Sequence, residues 1–211
     1  MQIPLLGYAY YFASFIPVLV GLIRYRSLDT PMRILTLLSV LALLSASAEL
    51  VLGQRGINNR FIANNYVPVE VLLIMLVYFF STTETKYRRI LIGSYLAFAV
   101  VWTVDKIFFE IANETNTAMA LASRLLLFGL SLLMIGVVSR DTTTSPSHKP
   151  VFWVATGVLL YSTGTFIMAG LSNRLLHLDV TIFVIAWHIN WFLLIVANLL
   201  YAKGLLCRTQ A

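Results

Sequence analysis

Apolar residues in this chain do not alternate with polar ones as they would along a barrel strand. They come in seven long runs, set apart by clusters of charge, Gly, Pro, Asn and Thr: Pro4–Ile23, Ile34–Gly53, Phe61–Phe80, Ile90–Phe109, Thr117–Val138, Val151–Leu171 and Val180–Tyr201. Crossing a hydrocarbon layer takes about 20 mostly apolar residues in a helix. Only helices and closed barrels satisfy their backbone there. The pattern therefore predicts an all-α polytopic membrane protein with seven transmembrane helices. No connection between runs is long enough for a folded unit, so residues 1–211 read as a single transmembrane domain without a soluble one.

Composition agrees with the pattern. Of 211 residues, 59% are hydrophobic and 11% charged, against about 25% charged in a soluble domain. The mean hydropathy is +0.85. The net charge of +6 does not point to nucleic acid, because the basic residues follow the loops. Arg24, Arg26, Arg33, Lys86, Arg88, Arg89, Arg140, Lys149, Lys203 and Arg208 fall on one side of the predicted bilayer, while Arg55, Arg60 and Arg174 fall on the other. Ten against three places the N-terminus outside and the C-terminus in the cytoplasm.

The first run lacks a basic leader and a clear cleavage site, so it reads as a retained span. Cys207 is the sole cysteine, which leaves no internal disulfide and no thiolate cluster. Asn113-Glu114-Thr115 has the form of a glycosylation sequon, best explained as chance. The stretch Asp141 to Pro150 reads as a linker.

Polar residues inside the runs are the candidate chemistry, because they are costly in hydrocarbon and mark functional sites by default. The seventh run sets Trp187, His188, Asn190 and Trp191 near its middle. Glu49 lies about a turn below the outer end of the second run, on the face of Ser45. The third run brings Asn64, Asn65, Pro68 and Glu70, with Tyr66 one turn from Glu70 on the same face. The fourth carries Trp102, Asp105 and Lys106, and the fifth Arg124. Nearly all sit in the outer half, whereas the inner half is aliphatic and aromatic apart from Asn198. Clustering in depth predicts one polar pocket, between the second and seventh spans, with Glu49, Asn65, Glu70, Asp105, Arg124, Trp187, His188 and Asn190 as ligand-binding residues. Arg124 is expected to pair with Glu70 or Glu49 and to hold an anionic group or serve as counter-ion. His188 would act as a proton-sensitive switch. Ser45, Ser47, Thr163, Thr165 and Asn198 read as interhelical glue instead.

Several chemistries are weakened by the same residues. His188 is the one histidine inside a run, and a catalytic zinc needs three protein ligands, so no metal and no cofactor is expected. A retinal pigment would need a lysine where His188 and Asn190 stand. Pro68 and Gly164 are the positions at which a transporter would break its helices.

The segments Phe152-Trp153, Gly157, Leu160 to Thr165, Trp187 to Asn190 and Asn198 resemble small seven-helix inner-membrane proteins of Bacteroidota. The turn Gly56-Ile57-Asn58 followed by Pro68 and Glu70 is similar too. The resemblance implies a bacterial inner membrane, and a likeness to stand-alone seven-helix sensor modules. The expected function is a receptor-like protein that binds a small or lipid-derived ligand from the outer side and signals through a separate protein. An intramembrane lipid hydrolase without zinc, using Glu70 and His188 as acid and base, and a small transporter are the alternatives.

Overall fold

The computed structural model describes residues 5–108, 117–140, 144–175 and 180–207, without the side chains at 167, 169–175 and 180–183. The sequon at Asn113, the linker start at Asp141, His177 and Arg208 lie outside the described residues, as does the side chain of Arg174. The described chain is helical: α1 (Leu5–Arg24), α2 (Thr30–Gln54), α3 (Arg60–Ser81), α4 (Thr85–Phe108), α5 (Thr117–Arg140), α6 (Pro150–Leu175) and α7 (Val180–Leu206). Six of these helices, all but α6, are long and apolar enough to cross a membrane. At 1.5 Å per residue, the 26 residues of α6 reach about as far.

The helices outrun the apolar runs where caps and charges extend them. α2 starts at Thr30 rather than Ile34 because Asp29 caps it, its Oδ1 accepting from the Met32 amide at 3.1 Å with Pro31 in the first turn. Burial raises the Asp29 pKa despite that amide. At the other end, Gly56 takes a left-handed φ of 69°. The Ile57 amide donates to Leu52 O at 3.0 Å and the Gly56 amide to Gly53 O at 3.1 Å. This paired closure of a helix end demands a residue without Cβ strain at the left-handed position.

Basic side chains close the other helix ends. Arg24 Nη1 donates to Leu205 O at 2.7 Å, Arg88 Nε to Thr82 O at 2.8 Å and Lys149 Nζ to Val138 O at 3.2 Å. These carbonyls belong to the C-terminal ends of α7, α3 and α5, where positive charge complements the helix dipole. The basic bias of that end thus has a structural use.

α1, α2, α3, α5, α6 and α7 pack side by side in a ring, with α1 against α7; α3 also reaches α6, and α4 lies outside against α3 and α5. α3 and α5 are well buried, with Val71, Ile74, Val77 and Tyr78 of α3 almost wholly covered. α4 instead leaves Leu96, Val100, Ile107 and Phe108 exposed, as α1 does Leu5, Phe12 and Ile23. An apolar exterior on this scale marks an integral membrane protein, since a soluble one keeps such patches small.

The α6–α7 seam is closed by glycines. A Cβ at Gly157 would stand 2.7 Å from the Tyr201 ring, and one at Gly164 2.6 Å from Leu193. Small residues let membrane helices approach this closely. Neither Pro68 nor Gly164 breaks its helix: α3 and α6 run through them without interruption.

Candidate functional site

α3 and α5 bring two opposite charges together inside the ring. Arg124 Nη1 donates to Glu70 Oε2 at 2.7 Å, with the side chains 10% and 7% exposed. Glu70 lies near the middle of α3 and Arg124 two turns into α5, and both are buried. The Arg124 guanidinium also lies 4.5 Å from the centre of the Tyr161 ring of α6. A planar guanidinium suits both contacts at once. Charges in hydrocarbon normally pair or face water, and here the pair, the ring and the cavity beside them meet that need.

That cavity has a volume of about 330 Å³ and is lined by residues of every helix. α2 gives Ser39, Ser45, Ala46 and Glu49, and α3 gives Asn64, Tyr66, Glu70 and Ile74. α4 contributes Trp102, α5 Ala120 and Arg124, α6 Tyr161 and Thr165, and α7 Ala197, Asn198 and Tyr201. α1 adds Tyr10 and Ser14. The polar pocket therefore includes the first helix, where the sequence had placed it between the second and the seventh. The cause is the ring closure: α1 packs on α7 and α2, so its inner face becomes cavity wall.

Tyrosines carry much of the wall. Tyr66, Tyr161 and Tyr201 all interact electrostatically with the Glu70–Arg124 pair, and Tyr10 with both Glu49 and Glu70. Helical side chains lean toward the helix N-terminus, so Tyr201, close to the end of α7, reaches back into the cavity. Gly157 makes the space in which its ring lies. The half expected to be aliphatic and aromatic is thus supplied with hydroxyls by its own tyrosines, Tyr201 and Tyr78, the latter sharing a 2.8 Å hydrogen bond with Ser131 Oγ. The Tyr66 hydroxyl is buried and, among the described residues, has no hydrogen-bond partner.

Glu49 stands at the other end of the same cavity. One of its oxygens accepts from Ser45 Oγ at 3.1 Å, from the same helix. Asn59 Nδ2 donates to its backbone carbonyl at 2.6 Å and ties the α2–α3 turn to this level. Among the described residues no basic side chain pairs with the Glu49 carboxylate.

The remaining predicted residues fall elsewhere. Asn65 is exposed and donates to Phe61 O of its own helix at 2.7 Å, while its neighbour Asn64 lines the cavity. Asp105 and Lys106 lie on α4 outside the lining, with Lys106 Nζ 5.9 Å from the Trp102 ring. Trp187, His188 and Trp191 form an aromatic group on α7, His188 holding its ring nitrogen 2.7 Å from Val184 O. None of the three lines the cavity. Asn190 is buried against the α6 seam beside Gly164, its side-chain oxygen unpartnered. The Glu70 and His188 pair needed for acid–base work is not assembled in the cavity. Among the described residues no group of three His, Cys, Asp or Glu side chains comes together as a metal site would require.

No protein-family model matches the chain, and no curated protein or solved structure matches it either.

Proposed function

We propose that this chain is a receptor-like membrane protein that binds a small or lipid-derived ligand in the cavity between its helices and signals through a separate protein. All seven helices span the membrane in this reading, with the N-terminus outside and the C-terminus in the cytoplasm. The basic residues gathered at one end support the orientation, and the resemblance to small seven-helix proteins of Bacteroidota supports a bacterial inner membrane. One observation carries the binding role: a cavity of about 330 Å³ walled by an ion pair and by a carboxyl group and a buried hydroxyl that, among the described residues, have no basic and no hydrogen-bond partner respectively. Small-molecule sites are apolar hollows of about 300–1,000 Å³ with a few converging polar groups, and a cavity serving only helix packing has no need of them.

The two alternatives find less support. A lipid hydrolase working through Glu70 and His188 would need both in one cavity, and a transporter of the broken-helix kind would need an interruption in α3 or α6. The test is mass spectrometry of what co-purifies with the protein, compared with Ala46→Phe, which fills the cavity from α2. A discrete molecule retained by the native chain and absent from the filled variant is the expected result. Bulk lipid alone in both overturns the binding reading.

A further inference from the structure

The acidic groups that line the cavity outnumber the basic ones, and the imbalance selects a ligand. Two carboxylates, Glu49 and Glu70, line it against one guanidinium, Arg124. Arg124 is already committed, bonded to Glu70 at 2.7 Å and lying on the Tyr161 ring. An anionic ligand would have to displace Glu70 and leave that carboxylate buried alone, which is strongly unfavourable. Among the described residues the Glu49 carboxylate accepts from Ser45 Oγ alone, so a positive charge reaching it would gain a partner without breaking an ion pair.

The surrounding wall suits the same charge. Tyr10 lies within electrostatic range of both carboxylates, and Tyr66 and Tyr201 supply further rings, those of Tyr161 and Trp102 already facing Arg124 and Lys106. Cations are drawn to the faces of such rings, most strongly where water is displaced. The buried Tyr66 hydroxyl, lacking a partner, offers one further polar contact for a ligand hydroxyl or carbonyl.

We propose that the cavity takes a small organic cation, an ammonium or alkylated ammonium group held at Glu49 among the tyrosine rings. The proposal rests on the binding role above and gives it a ligand class. Its probes are choline, its uncharged carbon isostere (tert-butyl in place of trimethylammonium) and the tert-butylacetate anion. Each is titrated calorimetrically into the detergent-solubilised chain, into Glu49→Gln and into Tyr10→Leu. Choline should bind the native protein at least about tenfold more tightly than the isostere. That preference should vanish in Glu49→Gln and weaken in Tyr10→Leu, so that one variant suffices if the other does not fold.

Equal binding of choline and isostere, tighter binding of the anion, or no binding of choline overturns the cation assignment. In each of those cases a discrete molecule that still co-purifies with the native chain, and not with Ala46→Phe, keeps the binding role standing. Loss of both signals removes the two claims together.

Discussion

Glu49 and Glu70 are the same residue type on the same cavity, yet their surroundings differ. Glu70 sits mid-helix, 5% exposed, and is bonded to Arg124 at 2.7 Å. Glu49 is half-buried near the end of α2, bonded to a serine of its own helix. A buried charge with its partner in place is part of the scaffold, since removing either member leaves the other stranded. Glu49 has no basic partner among the described residues, so it takes no part in such a pair and, in the proposed reading, is the group left to meet a ligand. Position along the helix and the presence of one guanidinium, rather than the carboxylate itself, separate the two roles.

The sharpest way to break that contrast is at Arg124. Replacing it by alanine strands Glu70, and unfolding in detergent should become easier by about 3–5 kcal/mol. Adding Glu70→Gln to Arg124→Ala should recover most of that loss, because the uncompensated charge is then gone. Equal damage in the single and double variants would show that the pair is not the source of the effect. The seam beside the cavity comes next. Gly157→Ala puts a methyl group 2.7 Å from the Tyr201 ring, and overpacking of this kind costs about 1–3 kcal/mol. It should also shift the Tyr201 ring within the cavity and weaken whatever binds there, which melting and binding titrations on one sample would separate.

A smaller effect is expected at Cys207, where the chain leaves α7. Burial raises its thiol pKa, outweighing Lys203 and Arg24, which act to lower it. Thiolate is the reactive form, so maleimide labelling should be slow at neutral pH and climb as pH rises past the ordinary thiol range of about 8.5. In right-side-out vesicles an impermeant maleimide should fail to reach Cys207 until the membrane is opened. Labelling from outside would reverse the proposed orientation, and with it the side from which Glu49 is approached.

The helices were legible because hydrophobic runs and their polar breaks are local. Their ends differed only where capping extended them, as at Asp29 before α2, or where a helix continued past the apolar run, as α7 does from Tyr201 to Leu206. The Arg124–Glu70 pair was legible too, because few partners exist for a charge inside a run. The cavity itself was harder to read. Tyr10, Tyr161 and Tyr201 are amphipathic residues that a sequence assigns to packing or to interface belts, and only ring closure turns their hydroxyls inward. Their distance from the helix ends was the available signal for Tyr161. His188 shows the opposite: its polarity points to the pocket, whereas helix rotation directs it to the carbonyl of Val184, one turn earlier in α7, and to Trp191. Depth can be counted along a run, but the face a residue presents depends on neighbours the run does not contain.

The central claim is that Glu70 holds the bundle while Glu49 serves the ligand. It is tested most directly by unfolding free energies of ligand-free Glu49→Gln and Glu70→Gln beside the native protein in one detergent. Glu70→Gln leaves Arg124 charged and buried and should lose about 3 kcal/mol or more; Glu49→Gln should stay within about 0.5 kcal/mol of native. Equal losses, or the larger loss at Glu49, would contradict the account.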